Sequence, residues 1–156
     1  INNFISGESS YQINISRKAI ATGKWRGLGP GKSVQKHVLP HASSDFIFAI
    51  IIEEYSIVGG ILILGLYISF LIRILAISLR IKLMFPYLLL IGLGILIVFQ
   101  AFLNMSVSLG IVPVTGQTLP LISKGGSSIW ITSIAIGIIL NISHHFNKKN
   151  IIYEKQ

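Results

Sequence analysis

Three long apolar runs organise the chain. They extend from about Phe46 to Leu75, from Leu83 to Leu103, and from about Ser127 to Ser143. A helix that crosses a bilayer needs about 20 mostly apolar residues, with a range of about 17 to 25. A surface helix of a soluble protein has a stripe of polar residues along one face, and the central turns of these three runs have no such stripe. The pattern therefore predicts an all-α membrane protein, a polytopic bundle with three transmembrane helices in residues 46–143.

The composition supports a membrane location. The chain is 52% hydrophobic and only 12% charged, whereas a soluble domain carries about 25% charged residues. It contains no cysteine, so disulfide bonds do not contribute to its stability. It begins with Ile1 and shows no signal peptide at its start. We expect it to be a piece of a longer membrane protein.

Basic residues near the ends of the apolar runs predict the orientation, because cytoplasmic loops of membrane proteins are enriched in Lys and Arg. This makes residues 144–156 a cytoplasmic basic tail and places residues 1–45 and the connection 105–127 on the extracytoplasmic side. The basic residues that carry the prediction are Arg73, Arg80, Lys82, Lys148, Lys149 and Lys155.

The predicted outer segment 1–45 is itself basic, with six Lys and Arg residues against Glu8 before Asp45. By charge count such a segment is a poor candidate for translocation, so we expect another part of the protein to fix the topology. Binding of an anionic ligand is one use for the charge. Neutralisation of lipid headgroups is the other, and the charge pattern leaves both open.

The stretch GLGPGKS, residues 27–33, ends like a nucleotide phosphate loop. That motif requires a glycine five positions before its Gly-Lys-Ser, directly after a buried strand. Arg26 occupies the position of that glycine, and no apolar strand precedes it. The sequence therefore argues against ATP or GTP binding.

Three acidic residues mark the first apolar run. Asp45 follows two serines at the predicted helix start, where the helix dipole favours its ionised form and where it would also serve as a simple cap. Glu53 and Glu54 lie roughly 12 Å deeper along the helix. Acidic residues at such depth usually face a bundle interior or a water-filled cavity and are functional by default. The alternative is that one of them pairs with a basic residue on a helix outside this chain.

A polar row and an irregular loop follow on the predicted outer side. Gln100, Asn104 and Ser108 recur every four residues and so share one helix face, which also suits simple helix–helix contact. The next residues are rich in Gly and Pro yet barely polar, which predicts a re-entrant loop. Lys124 precedes the third helix, whose first amides suit an anion; a hinge with a lipid-facing lysine is the alternative. Together the two outer segments suit a lipid with a pyrophosphate head.

Three stretches resemble one family. They are GKWRGLGPGKSVQKHVLP, LPHASSDFIFAIIIEEYSIVGG and NMSVSLGIVPVTGQTLPLISKGGSS, in this order within residues 11–143. In pattern and spacing they are similar to the C-terminal part of the SEDS family (shape, elongation, division and sporulation), which comprises FtsW, RodA and SpoVE proteins. The form of VTGQTLPLIS resembles the FtsW division branch more than the RodA elongation branch.

The resemblance implies about ten membrane helices, of which this chain would hold the last three. It implies a peptidoglycan glycosyltransferase of the bacterial inner membrane that polymerises lipid II, with its catalytic side extracytoplasmic. It also implies a class B penicillin-binding protein (FtsI-like) and other divisome proteins as partners, and a divalent cation, Mg or Mn, as a possible cofactor. No metal-ligand cluster is visible in the sequence.

The resemblance places the proposed catalytic residue of the family on Asp45. Around it we expect residues that bind the substrate: Lys32, Lys36, His41, Glu53, Glu54, Asn104, Lys124 and Ser127.

Several positions depart from the family pattern. His41 and Ser43 stand where the family usually has Glu and His, so His41 is a candidate substitute for that glutamate. Lys124 replaces a commoner Tyr, and Ser56 replaces a Gly. Three alternatives to a division polymerase stay open at this point: a lipid II flippase that uses Glu53 and Glu54, a RodA-like elongation polymerase, and a scaffold that only docks a partner.

Overall fold

The computed structural model describes residues 14–23, 27–33 and 46–153, and in the last helix it describes side chains as far as His145. These ranges contain four helices and no strand. They are α1 (residues 14–23), α2 (Ile47–Ser78), α3 (Met84–Ser108) and α4 (Gly126–Tyr153). The three predicted apolar helices are confirmed, and all three continue beyond the predicted runs at their C-terminal ends, α4 by ten residues. The short helix α1 was not predicted.

Three helices are long and apolar enough to cross a membrane, over Ile47–Ser78, Met84–Ser108 and Gly126–His145. Their outer faces carry large exposed apolar side chains such as Leu62 and Trp130. In water such faces would be costly, whereas against lipid tails or further helices they are in a matching environment. The protein is therefore an all-α, multi-pass membrane protein, as the sequence predicts.

Helix α3 is the central helix of the bundle, because it packs against both α2 and α4. The connection from α2 to α3 is only residues 79–83, so the two helices are antiparallel neighbours. They approach closely at Gly94, where an added Cβ would lie 2.6 Å from the Ile74 Cδ1 atom. Buried side chains from all three helices join around this contact: Ile74, Leu90, Ile97, Ala135 and Ile139.

Helix α1 lies across the opposite end of the bundle, where α2 begins, α3 ends and α4 begins; we call this the loop end. Its Ile15 packs with Phe46 and Val107 in a small buried cluster. The Ser16 hydroxyl donates a hydrogen bond to the carbonyl of Ser108, the last residue of α3. That bond satisfies one of the carbonyls that every helix C-terminus leaves without an intrahelical partner.

Helix α2 is broken at Ser56, whose φ of +68° and ψ of −178° are not helical. This backbone region is almost exclusive to glycine and costs other residues about 1–3 kcal/mol. The Ser56 hydroxyl accepts a hydrogen bond of 3.1 Å from the Val58 N–H. Ser56 thus acts as an N-cap for the second part of α2. The break leaves the carbonyls just before it free for partners outside the helix.

We expect Ser56→Gly to raise the free energy of unfolding by about 1 kcal/mol, because relief of the backbone strain outweighs the few tenths lost when glycine replaces a serine cap. Ser56→Ala should lower it by about 1 kcal/mol, since alanine keeps the strain and loses the cap. Thermal unfolding in detergent, compared for the two variants and the parent, checks the order. An alanine variant at least as stable as the glycine variant would contradict this account of the break.

Candidate functional site

The glycine-rich segment, residues 27–33, docks its backbone onto the break in α2. The Leu28 N–H donates to the Glu53 carbonyl at 2.9 Å, and the Gly29 N–H donates to the Glu54 carbonyl at 3.0 Å. In an unbroken helix these carbonyls would accept from residues 57 and 58. The loop therefore supplies the donors that the break removes. Inside a membrane this matters, because no water is present to replace a missing backbone partner.

Two glycines make this approach possible. A Cβ at Gly23 would lie 2.1 Å from the Ile52 carbonyl oxygen, and a Cβ at Gly27 would lie 2.4 Å from the Glu54 carbonyl oxygen. Gly27 also has a φ of +61°, which favours glycine. At Gly23 and Gly27 the requirement for glycine is thus explained by backbone-to-backbone contact with a helix.

The amides of this segment are turned toward the protein. Besides the two bonds to α2, the Gly27 N–H donates to the Gly23 carbonyl at 2.8 Å, and the Lys32 N–H donates to the Gly29 carbonyl at 3.2 Å. A phosphate loop instead points its amides at the ligand. The geometry agrees with the sequence argument against a nucleotide site.

Glu53 has no exposed surface, although it is an acidic residue. Its Oε2 atom accepts a hydrogen bond from the Ser33 hydroxyl at the end of the glycine-rich segment. Its Oε1 atom is also buried and has no hydrogen-bond partner among the described residues. Within those ranges the carboxylate is thus bound by a hydroxyl rather than by a Lys or Arg side chain. The neighbouring Glu54 is half-buried.

The connection between α3 and α4 runs back along the bundle and is held by side chains. The Asn104 amide donates to the Gln117 carbonyl at 2.6 Å, and the Gln100 amide donates to the Thr118 carbonyl at 3.2 Å. Gln100 is eight residues before the end of α3, so the loop reaches about 12 Å along that helix. The polar row of α3 therefore satisfies the backbone of a re-entrant loop.

The deepest part of this loop is anchored from α2. The Tyr67 hydroxyl donates to the Pro120 carbonyl at 2.5 Å, and Leu119 and Pro120 are fully buried. The Leu119 N–H donates to the Ser123 hydroxyl at 2.8 Å, which closes the turn before α4. The loop is thereby fixed to both α2 and α3.

A polar cavity of about 360 Å³ lies between the re-entrant loop and α4. Six polar side chains are in its lining: Gln100, Gln117, Thr118, Ser127, Ser128 and Thr132. The Thr118 hydroxyl donates to the Ser128 hydroxyl at 2.8 Å across its wall. Ser127 is exposed at the first turn of α4, and Lys124 is exposed just before that helix. The cavity thus brings hydroxyl and amide groups of α3, the loop and α4 together at the loop end.

The described residues include six of the predicted site positions, and they fall into two groups. Lys32, Glu53 and Glu54 belong to the contact between the glycine-rich segment and α2, whereas Asn104, Lys124 and Ser127 belong to the re-entrant loop and its surroundings. Asp45, Lys36 and His41 lie outside the described residues.

Sequence reasoning missed three residues that hold this end together. Ser33 directly follows Lys32, and its place at the end of a Gly-Lys-Ser stretch gives no sign that its hydroxyl bonds to a buried glutamate. Ser56 was noted only as a departure from the family pattern, and a serine gives no sign of a left-handed backbone. Tyr67 lies in an apolar run that gives no sign of its long-range bond to Pro120.

The divalent cation implied by the family resemblance finds no ligand set among the described residues. Within residues 14–23, 27–33 and 46–145, no three His, Asp or Glu side chains lie close enough to share a metal ion. Glu53, the one acid buried there, uses a carboxylate oxygen to bind Ser33. The described residues by themselves therefore do not fit a metal centre.

The fold and the loop end define a class: a multi-pass membrane protein in which two loops at one end are folded back onto the helices, one onto the break in α2 and the other onto α3. The sequence model of the FtsW/RodA/SpoVE family, described as cell cycle proteins, matches residues 2–148. The chain therefore belongs to the FtsW/RodA/SpoVE family.

Curated relatives share this sequence at high identity. The probable peptidoglycan glycosyltransferase FtsW of Lactococcus lactis is 43% identical over 136 residues, which are 86% of this chain and 32% of that protein. The proteins of the same name from Xanthomonas oryzae and Marinobacter nauticus are 40% and 42% identical, over 90% and 86% of this chain and 30% and 35% of theirs. The chain thus spans about a third of the length of these relatives.

We expect Gly27→Ala to displace the glycine-rich segment. The new Cβ would lie 2.4 Å from a helix carbonyl that cannot yield, in addition to the strain of a positive φ. Gly31→Ala is a matched control, because Gly31 also has a positive φ but has open space around it. Trypsin cleavage after Lys32 measures the displacement. The cleavage rate of Gly27→Ala should exceed that of Gly31→Ala at least about tenfold. Equal cleavage rates in the two variants would show that the close contact at Gly27 is unimportant.

We expect Tyr67→Phe to lower the free energy of unfolding by about 1–3 kcal/mol, because it leaves the buried Pro120 carbonyl without its donor. Ser69→Ala is the comparison on the same helix, since the Ser69 hydroxyl is exposed and bonds only to Leu66 one turn away. Thermal unfolding of the two variants should separate them. If both unfold like the parent, the anchor on the re-entrant loop contributes nothing measurable.

Proposed function

We propose that this chain forms part of a peptidoglycan glycosyltransferase that polymerises lipid II into glycan strands during cell division. One observation carries the proposal: relatives named as probable peptidoglycan glycosyltransferases FtsW are 40–43% identical to it across 86–90% of its length. The matched family region, residues 2–148, includes Asp45 and both loops of the loop end. The rest of the protein would provide the other walls of the site.

The chemistry is glycosyl transfer to a sugar hydroxyl. Asp45 acts as general base and takes the proton of the 4-hydroxyl on one lipid II molecule. The hydroxyl oxygen forms the new bond to C1 of the donor sugar as the bond from C1 to the pyrophosphate oxygen breaks. Undecaprenyl pyrophosphate leaves with the bonding electrons. An ionised aspartate is a weak base, so its contribution comes from being held within reach of the hydroxyl.

Lysines stabilise the negative charge that develops on the leaving group. Lys32 and Lys124 support this role, because both are exposed and each belongs to one of the two loops at the loop end. Lys36 is the third candidate and lies four residues after Lys32 in the sequence. Ser127 contributes a hydroxyl group to the lining of the polar cavity. Asn104 is buried and acts by holding Gln117, which also lines that cavity, and His41 is a further candidate for contact with the substrate. This assignment makes the loop end the extracytoplasmic side of the bacterial inner membrane.

The proposed partners follow from the family. A class B penicillin-binding protein of the FtsI type would cross-link the strands, and other divisome proteins would localise the pair. The exposed apolar faces of α2 and α4 are suited to lipid and to other membrane helices. A RodA-like role in elongation uses the same chemistry and differs in the partner.

A lipid II flippase is the second candidate, because a fully buried acid within a membrane helix, as at Glu53, is also a feature of transporters. Purified full-length protein with lipid II distinguishes the two. Glycan formed in detergent supports the polymerase. Movement of lipid II across vesicle membranes without any polymer would support the flippase.

We expect Asp45→Ala and Asp45→Asn each to reduce polymerisation by at least about 100-fold, the contribution of a general base, without lowering the unfolding temperature. The asparagine variant keeps the size of the side chain, so it isolates the carboxylate. Polymerisation is measured with lipid II and the full-length protein together with its partner. Retained activity in the asparagine variant would contradict the role of Asp45 and would favour a scaffold.

A further inference from the structure

We propose that Glu53 is a positioning residue that locks the glycine-rich segment onto the break in α2 and thereby sets the position of Lys32. The contact between Glu53 and the glycine-rich segment does not depend on any reaction. The effect of this contact on catalysis, through the position of Lys32, rests on the proposed function.

Glu53 holds this segment at both ends. Its backbone carbonyl accepts from the Leu28 N–H at 2.9 Å, and its carboxylate accepts from the Ser33 hydroxyl. The six residues between and including these two points are thus closed into a loop on a single residue of α2. The Gly29 N–H adds a third bond, to the Glu54 carbonyl at 3.0 Å. Lys32 directly precedes Ser33 and is exposed on this loop.

The burial of Glu53 separates its role from that of a substrate ligand. Its side chain has no exposed surface, whereas Lys32 on the outer side of the same loop is exposed. A substrate that approaches the loop end therefore meets the segment that Glu53 holds, rather than Glu53 itself. Additional helices can only bury Glu53 further.

The break in α2 and the carboxylate act together. The break releases the carbonyls of Glu53 and Glu54 from the helix, so that the backbone of the segment can bond there. Those two bonds fix only its first half. The second half, which contains Lys32, is fixed by the side-chain bond between Ser33 and Glu53. A buried hydroxyl–carboxylate bond is strong because neither group has water as an alternative partner.

Hydrogen–deuterium exchange in the full-length protein tests the lock without any need for activity. The probe is the exchange of amides in a peptide that spans residues 27–33. Glu53→Leu removes the carboxylate and fills the buried space, and we expect exchange there to become at least about tenfold faster. Ser33→Ala should have a similar effect. In the double variant the acceleration should be smaller than the product of the two single effects, because both changes remove the same hydrogen bond.

Two further variants test whether the hydrogen bond accepted by the Glu53 side chain is the cause of the effect. Glu53→Gln retains a carbonyl oxygen that accepts from Ser33, so we expect exchange within about threefold of the parent. Glu54→Gln is the matched control at the neighbouring position, where the contribution to the lock is the backbone carbonyl, and exchange should not change. Unaltered exchange in both Glu53→Leu and Ser33→Ala would overturn the lock.

Polymerisation kinetics test the positioning role. Glu53→Gln should retain kcat within about threefold of the parent, whereas Ser33→Ala and Glu53→Leu should lower it at least about tenfold. A glutamine variant that keeps the loop protected but loses polymerisation would overturn the role, because it would show that the charge itself acts in the reaction. If the parent protein makes no polymer, the proposed function fails while the exchange results still decide whether the lock exists.

Discussion

The break in α2 is the constraint on which the loop end depends. A continuous helix would satisfy the Glu53 and Glu54 carbonyls internally and would offer no attachment point for another segment. Ser56, with its positive φ, interrupts the helical hydrogen bonds of α2. Its hydroxyl then caps the second part of the helix by accepting from the Val58 N–H. The released carbonyls are then bonded by the amides of Leu28 and Gly29. A local defect in a transmembrane helix thus becomes the binding surface for a loop.

The same requirement explains the second loop. A re-entrant chain at membrane depth must find a partner for each backbone polar group within the protein. Side chains of α3 and α2 provide several of these partners, through Gln100, Asn104 and Tyr67. Polar residues that look like candidates for substrate contact therefore contribute first to the architecture. Asn104 illustrates the overlap, since its amide is used to hold Gln117.

The two loops share a design with a consequence for chemistry. Each is held from beneath by residues buried in the bundle, and each carries one exposed lysine, Lys32 or Lys124. A polymerase that stabilises a departing pyrophosphate needs positive charge at fixed places, because a group already in position has no reorganisation to undergo during the reaction. Loops anchored at several points along their length meet that need better than free surface loops.

The sequence by itself determined the membrane class, the number of long helices, their approximate bounds and the family. These follow from apolar runs and from motifs that are contiguous in the chain. It also indicated that residues 27–33 are not a phosphate loop and that Glu53 belongs to a helix long and apolar enough to cross a membrane. What it could not supply was the docking of that segment on α2, the break at Ser56, the helix over residues 14–23 or the anchor from Tyr67 to Pro120. Each of these joins residues far apart in the chain or depends on a backbone angle that the side chain does not reveal. Only tertiary structure decided them, because the donors and acceptors of buried backbone groups are chosen by which segments meet in space.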